Sequence, residues 1–201
     1  MKRSISEESL KYSTKFFSDV LNGKCEHFLF FGSLLGMIRD NGPILGDDDI
    51  DFYVNINDYQ IVKSLLLKEG FQLDYSVYPN HSEFFIQVVG VVDGFDICAD
   101  FYFYDSEIDE DFIEERWNFK GIIHNRDHAL RVPKPLIFPL KCVDYEDTTV
   151  SIPNQSSIIC EILYGVNWKI PQKKDVDYDT LVISGRPVRI KRDGGNVTLI
   201  A

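Results

Sequence analysis

The order of apolar and polar positions divides the chain into helix-like and strand-like stretches. Residues 5–22 carry large apolar side chains at helical spacing, and Ser4 with Glu7 resembles a capping box, so this stretch predicts a first helix. Residues 57–70 repeat the helical spacing, with Asn57 or Asp58 as a cap, and end at a glycine that favours termination. The amino-terminal third is therefore expected to contain at least two helices.

A strand and a functional turn are predicted between these helices. Residues 28–31 are a short apolar run typical of a buried strand, and Gly32 with Ser33 predicts a turn into a short apolar helix. The segment DDDIDFYVN, residues 47–55, then alternates apolar with polar positions from Asp49 onward. This alternation predicts a strand with one apolar face and one functional face.

The remaining two thirds of the chain favour β-structure. Asp93 and Gly94 lie between two apolar arms, which is a strong hairpin signal. Residues 106–118 are interpreted as irregular or helical. The further predicted strands lie at residues 71–77, 84–92 and 121–124, within 135–153, and in a carboxyl-terminal meander that turns at Gly194 and Gly195. Helices followed by mostly antiparallel strands predict one α+β domain.

Composition and charge limit the kinds of partner that the protein is expected to bind. The 201 residues are 44% hydrophobic, which is enough for one packed domain, and the formal net charge is −11. A nucleic acid polymer is an unexpected partner, because binding to a phosphate backbone depends on clustered lysine and arginine. The start lacks the apolar core of a signal peptide, and no apolar run is long enough to span a membrane, so a cytoplasmic location is expected. The oligomeric state stays open.

The carboxylates of the acidic segment are the candidate chemistry. Asp49 and Asp51 share one face of the predicted strand, where they could bind one or two hard cations such as Mg²⁺. The alternative is a solvated acidic turn without a ligand. Asp100 lies within the apolar run CADFYFY, and a buried acid without a partner costs several kcal/mol in its ionised form. This third acid therefore favours the cation site.

Several blocks resemble the LicD/fukutin family of the nucleotidyltransferase, or DNA polymerase β-like, superfamily. The first is GSLLGMIR (32–39), followed by Gly42, Ile44 and DDDID (47–51). The later blocks are DFYFYD (100–105), IFPLK (137–141) with Pro153, and YGVNWKIP (164–171). They stand in family order and span about residues 28–172. Leu45 and Gly46 depart from the family, whose members usually carry Pro-Trp there.

The resemblance implies a fold and a set of roles. It implies a nucleotidyltransferase-like mixed sheet flanked by helices over residues 1–175, with a small β extension, 176–201, packed on the same domain. Gly32 and Ser33 would hold a donor phosphate. The implied metal ligands and catalytic residues are Asp49, Asp51 and Asp100. Two basic residues are further candidates for binding substrate: Arg39, whose alternative role is structural pairing with an acid, and Lys141.

The resemblance also implies a reaction. Family members move a phospho-alcohol, such as phosphocholine or an alditol phosphate, from a CDP-linked donor to the hydroxyl of a glycan or glycolipid and release CMP. The implied cofactor is Mg²⁺, with Mn²⁺ as an alternative. Two other readings stay open: a small nucleotidyltransferase that modifies a small molecule or a protein, and a catalytically silent binding module of the same fold.

Overall fold

The computed structural model describes residues 5–73, 85–116 and 130–171, and the backbone of three strands between residues 178 and 200. The predicted strand at 121–124 and the predicted turn at Gly194 and Gly195 lie outside the described residues. The same holds for residues 74–77 of the predicted strand that begins at Phe71, and for Ser4.

The described part of the chain contains both helices and strands. The described helices are α1 (Glu7–Leu21), α2 (Phe31–Arg39), a 3₁₀ turn (Ile56–Asp58), α3 (Tyr59–Lys68), α4 (Lys134–Ile137) and α5 (Ser156–Tyr164). The described strands are β1 (His27–Leu29), β2 (Ile50–Asn55), β3 (Phe85–Val92), β4 (Phe95–Asp105), β5 (Phe112–Glu115), β6 (Arg131–Pro133), β7 (Lys141–Tyr145), β8 (Thr148–Ile152), β9 (Tyr178–Ile183), β10 (Arg186–Asp193) and β11 (Asn196–Ile200).

The central sheet has the strand order β1-β2-β4-β5-β6, and β3 also pairs with β4. The β2 and β4 strands run parallel, whereas the other pairs of this sheet are antiparallel. A separate hairpin joins β7 to β8, and β9 to β11 form a three-stranded meander, as the sequence predicts for the tail. The mixed sheet with flanking helices confirms the predicted fold class. The domain boundary at residue 175 stays a prediction.

The two faces of the central sheet have different neighbours. On one face, the ring of Phe17 from α1 packs edge-on against Phe52 and Phe101, which lie stacked on neighbouring strands. On the other face, α2 lies against β2, and α5 packs behind α2. The rings of Tyr53 and Tyr102 lie on this second face. Asp51 and Asp100 share this second face, because they precede Tyr53 and Tyr102 by two residues along their strands.

The ends of the first helices differ slightly from the predicted ones. The α1 helix is capped by Ser6, whose Oγ accepts a hydrogen bond from the backbone N–H of Ser9 at 3.1 Å. The 3₁₀ turn before α3 is capped by Asn55, whose side chain accepts from the N–H of Asn57. The cap of α1 thus lies two residues after the predicted Ser4, whereas Asp58, one of the two residues predicted to cap the next helix, stands at the N-cap of α3, although its side chain makes no capping hydrogen bond.

Two assignments were wrong and one was confirmed. Residues 112–115 form β5 rather than an irregular or helical segment, because Ile113 is fully buried and the strand pairs with the end of β4. Residues 134–137 form a short helix within the region predicted as strands. The hairpin turn at Asp93 and Gly94 is confirmed, and both residues have the positive φ that a tight hairpin turn uses.

No helix within the described ranges has both the length and the apolar composition required to cross a membrane.

Candidate metal and donor site

The parallel pairing of β2 with β4 brings the two strand acids side by side. Asp51 is the register partner of Asp100, and Asp100 is also the antiparallel partner of Gln87 on β3. Neighbouring strands lie about 4.8 Å apart, and directly paired residues project from the same face. Three side chains from three strands therefore form one row, Asp51–Asp100–Gln87, on the face that α2 only partly covers.

Asp49 completes a group of three carboxylates. It precedes β2 by one residue and is partly exposed, whereas Asp51 and Asp100 retain only 7% and 4% of their accessible surface. One carboxylate oxygen from each of Asp49, Asp51 and Asp100 lies within 4.8 Å of the others. Asp47 and Asp48 form a second, more exposed group with Asp49 at the same limit. The structure thus brings together the three acids that the sequence singles out.

The first turn of α2 fixes the backbone of Asp51. Its N–H donates to the Oγ of Ser33 at 2.7 Å, and its carbonyl accepts from the N–H of Phe30 at 3.1 Å. Ser33 is itself buried. The start of the strand and the start of the helix are therefore held together by hydrogen bonds on both sides of one acid. The predicted functional turn at Gly32 and Ser33 lies inside the first turn of α2, which begins at Phe31.

Gly32 allows the closest approach between α2 and the acids. A Cβ atom at this position would stand 3.0 Å from Oδ2 of Asp47 and 3.5 Å from Oδ2 of Asp51. Phe30, at the N-cap of α2, makes no side-chain capping bond. The first N–H groups of a helix have no acceptors within the helix and carry a partial positive charge. The site thus places helical N–H groups next to a concentration of negative charge.

Burial and mutual repulsion raise the pKa values of the two strand acids. Burial, followed by repulsion from Asp49, Asp100 and Asp47, raises the pKa of Asp51 well above its ordinary value, although a hydrogen bond from the backbone of Ser33 opposes this shift. Burial and the charge of Asp49 raise the pKa of Asp100 to about 8, against the hydrogen bond that Gln87 Nε2 donates to its Oδ1 at 2.9 Å. Without a cation, protonation of these acids is favoured.

These properties fit a divalent cation. Among the described residues, no lysine or arginine forms an ion pair with Asp51 or Asp100, and no positive side chain lowers their pKa values. Two buried carboxylates and a partly exposed one supply only oxygen ligands, which Mg²⁺ and Mn²⁺ accept. A bound cation would remove the repulsion that disfavours ionisation.

Arg39 lies on α2 but pairs with its neighbour. Its Nε and Nη2 donate to the two carboxylate oxygens of Asp40 at 2.9 and 2.6 Å, and its side chain is mostly buried. This fork geometry satisfies both oxygens of Asp40 and raises the pKa of the guanidinium further. Of the two roles expected for Arg39, the structural pairing with an acid is the one that the geometry favours.

Lys141 lies in the β7–β8 hairpin. Its Nζ donates to the carbonyl oxygen of Asn154 at 2.6 Å, and the side chain is exposed. This hydrogen bond ties the start of β7 to the second residue after the end of β8. The hydrogen bond of Lys141 is therefore local to the hairpin, and the role of this residue in binding phosphate stays a prediction.

The loop that carries the acids packs tightly on α2 at Gly36. A Cβ atom there would stand 2.5 Å from the carbonyl oxygen of Gly42 and 2.9 Å from the nitrogen of Ile44. The N–H of Gly42 also lies 3.4 Å from the carbonyl oxygen of Gly36. Gly36 is therefore required for close backbone approach, which sets the path of the chain towards Asp47.

Gln87 is the residue that the sequence analysis missed. A signal existed, because a two-residue turn at Asp93 and Gly94 pairs residues whose numbers sum to 187, and this rule pairs Gln87 with Asp100. Gln87 fixes one oxygen of Asp100, which leaves the orientation of that carboxylate well defined.

Comparison with known proteins gives a family match and a structural likeness. The family described as LicD/FKTN/FKRP, nucleotidyltransferase domain, matches residues 24–155, which is more than half of the chain. The structure is also similar to the crystal structure of the lincosamide antibiotic adenylyltransferase LnuA bound to lincomycin. That likeness has 13% sequence identity and a TM-score of 0.48, and covers 77% of this chain and 84% of that chain. A search of curated proteins gave no match.

Proposed function

The chain belongs to the LicD/FKTN/FKRP family, and on this basis we propose that it is a Mg²⁺-dependent phospho-alcohol transferase. It moves phosphocholine or an alditol phosphate from a CDP-linked donor to a hydroxyl of a glycan or glycolipid, releases CMP, and acts in the cytoplasm. The observation that supports this proposal best is the convergence of Asp49, Asp51 and Asp100 beside the first turn of α2. Donor diphosphate and helix N–H groups would meet there.

The three acids would hold the cation, with Mn²⁺ as an alternative to Mg²⁺. When bound, the ion would supply positive charge to the donor diphosphate and to the charge that develops on the departing CMP. The hydrogen bonds from Phe30 to Asp51 and from Asp51 to Ser33 hold the carboxylate-bearing strand in place. Gln87 does the same for Asp100. The ligands are thus oriented before any substrate arrives, which lowers the cost of reorganisation.

The start of α2 would bind the donor phosphate. The N–H of Gly32 and the hydroxyl hydrogen of Ser33 are the donors, since the Oγ of Ser33 already accepts from Asp51. A side chain at position 32 would occupy the space next to Asp47 that the phosphate needs. Anions bind well at helix N-termini, because the unpaired N–H groups and the helix dipole act together.

The transfer itself forms one P–O bond and breaks another. The oxygen of the acceptor hydroxyl attacks the phosphorus that carries the alcohol, and the bond from this phosphorus to the bridging oxygen breaks. CMP leaves with that oxygen and the electron pair. The proton of the acceptor hydroxyl would pass to the carboxylate of Asp100, which stands on the buried side of the site and which the bound cation would keep ionised.

Nucleotidyl transfer is the second candidate, since the matching family domain is described as a nucleotidyltransferase domain. In that reaction the acceptor attacks the phosphorus next to the nucleoside. A nucleoside triphosphate would then release pyrophosphate instead of CMP. The same acids and the same helix start would serve both reactions.

An assay of released products tests the proposal. The protein is incubated with Mg²⁺, a glycan acceptor mixture and either CDP-choline, CDP-glycerol, CDP-ribitol or each of the four nucleoside triphosphates. CMP from a CDP-alcohol supports the proposal, whereas pyrophosphate from a triphosphate supports nucleotidyl transfer. Neither product, together with no thermal stabilisation by Mg²⁺ and any nucleotide, would support a silent binding module.

A matched pair of variants links the product to the site. Asp51→Asn should abolish CMP release, because it removes one ligand of the proposed cation. Asp144→Asn removes the same charge from an exposed position on β7 and should retain wild-type turnover. Equal turnover in Asp51→Asn and wild type would show that the acid cluster is not the active site.

A further inference from the structure

Phe31 has an unusual backbone conformation immediately before the donor turn. Its φ is +44°, in the left-handed region that side chains other than glycine rarely adopt. A large residue held there costs about 1–3 kcal/mol, and a glycine would avoid this cost. The aromatic ring at this position is therefore expected to make an interaction whose free energy offsets this strain.

The ring of Phe31 lies at the boundary between the core and the acid cluster. Its centroid is 5.0 Å from Phe30, 5.5 Å from Tyr53 and 5.0 Å from Tyr102. Phe30 and Tyr53 are fully buried, whereas Phe31 and Tyr102 remain partly exposed. We call Phe31 and Tyr102 the aromatic rim. Packing explains the buried pair, but a ring that stays partly exposed gains less from burial.

The aromatic rim adjoins the proposed transfer site. Tyr102 follows Asp100 by two residues on β4, so the two side chains share a face and are separated by about 7 Å along the strand. Phe31 precedes Gly32, whose position faces Asp47 and Asp51. In a CDP-linked donor the alcohol is bonded directly to the transferred phosphate, whereas the nucleoside is joined to it through a second phosphate.

The chemistry of the rim favours a cationic group. Aromatic faces attract cations through their quadrupole and bind quaternary ammonium groups, which cannot donate a hydrogen bond. A polyol would need hydrogen-bonding partners for each hydroxyl, which the two ring faces do not supply.

We propose that Phe31 and Tyr102 bind the quaternary ammonium group of the transferred alcohol and so select a choline-like donor over a neutral polyol donor. This inference rests on the proposed function, because it assigns the alcohol end of the same donor. Its content is separate, since a phospho-alcohol transferase could act on either class of alcohol.

Binding measurements with three ligands test the inference. The dissociation constants of CDP, CDP-glycerol and CDP-choline are measured by calorimetry on the full chain with Mg²⁺. CDP-choline should bind about five- to thirtyfold more tightly than CDP-glycerol, which is the range expected for a cation on partly desolvated aromatic faces. In Phe31→Leu the two dissociation constants should differ by no more than about twofold. Phe31→Tyr keeps an aromatic ring and should therefore keep the preference for CDP-choline.

The outcomes separate this inference from the proposed function. If CDP and both CDP-alcohols fail to bind wild type, the proposed function fails and the inference with it. If they bind but CDP-choline has no advantage, only the inference is overturned. If Phe31→Leu weakens the binding of CDP and of CDP-choline by the same factor, the rim contacts the cytosine base, and the inference is also overturned. If Phe31→Leu is not folded by circular dichroism, Tyr102→Leu with Tyr102→Phe as its control gives the same ratios.

Discussion

Replacing Asp100 by asparagine should make the metal-free protein more stable while abolishing its response to Mg²⁺. The change removes a buried charge but preserves the shape of the side chain, and the asparagine Oδ1 can still accept the hydrogen bond from Gln87. Burial and the charge of Asp49 are the two largest causes that raise the pKa of Asp100. Neither burial nor the charge of Asp49 penalises a side chain at position 100 that carries no charge.

The size of the effect follows from that pKa. A rise from 3.8 to about 8 is about 4 units, and about 1.4 kcal/mol per unit gives an upper limit near 6 kcal/mol. Because the folded form holds the proton more tightly than the unfolded chain, the metal-free protein loses stability as the pH rises from about 4 to about 8. If Asp100→Asn recovers about a quarter of this upper limit of free energy near pH 8, the melting temperature of a chain of this size should rise by roughly 3–6 °C.

Thermal unfolding near pH 8 measures the prediction, in chelator and in excess Mg²⁺. Wild type should melt higher with Mg²⁺ than without, whereas Asp100→Asn should melt at one temperature in both buffers. Asp144→Asn is the control for loss of one negative charge from the whole protein. An Asp100→Asn protein that melts below wild type in chelator, with the control unchanged, would refute the reasoning about buried repulsion.

Three further predictions follow from the site and its surroundings. Gly36→Ala should lower both the melting temperature and the affinity for Mg²⁺, because its Cβ would stand 2.5 Å from the carbonyl of Gly42 and displace the acidic loop; wild-type values for both would contradict this. Calorimetry should find Mg²⁺ binding at least roughly tenfold tighter per pH unit between about pH 6 and 8, because the ion displaces the protons that the raised pKa values of Asp51 and Asp100 retain; pH-independent affinity would argue against these ligands. His27→Phe should lose less stability than wild type between about pH 7 and 5 in denaturant titrations, because burial lowers the pKa of His27 and the unfolded chain accepts that proton more readily; parallel losses would disprove the link.

Local patterns were sufficient for the elements that carry the acids. Alternation placed Asp51 on the strand face opposite Ile50 and Phe52, and the apolar context of Asp100 marked a second strand with a buried acid. Periodicity alone could not show that β2 and β4 pair in parallel with Asp51 opposite Asp100. That register depends on long-range contacts, and the family resemblance supplied the expectation that the two acids meet.

Other features could not be predicted from the sequence, because charged residues are normally exposed and therefore did not indicate a buried strand. Residues 112–115 read FIEE, and the two glutamates concealed a strand whose Glu114 and Glu115 are both buried. Glu115 accepts a hydrogen bond from the hydroxyl of Tyr53, and Arg131 lies close to Glu114. Such partners from distant segments make buried acids tolerable, and no local rule anticipates them. The left-handed conformation of Phe31 was likewise invisible in a sequence of apolar residues.

The parallel register of β2 and β4 brings Asp51 next to Asp100. The distance between these two acids therefore does not depend directly on the length of the chain that connects the two strands. Loop closure becomes only slightly more costly as a connection lengthens, by about 0.6 kcal/mol for each doubling. Insertions after α3 can therefore accumulate without moving Asp51 away from Asp100, provided that the two strands still pair. Changes in this connection can therefore alter the surface around the acids while the pairing of Asp51 with Asp100 stays unaltered.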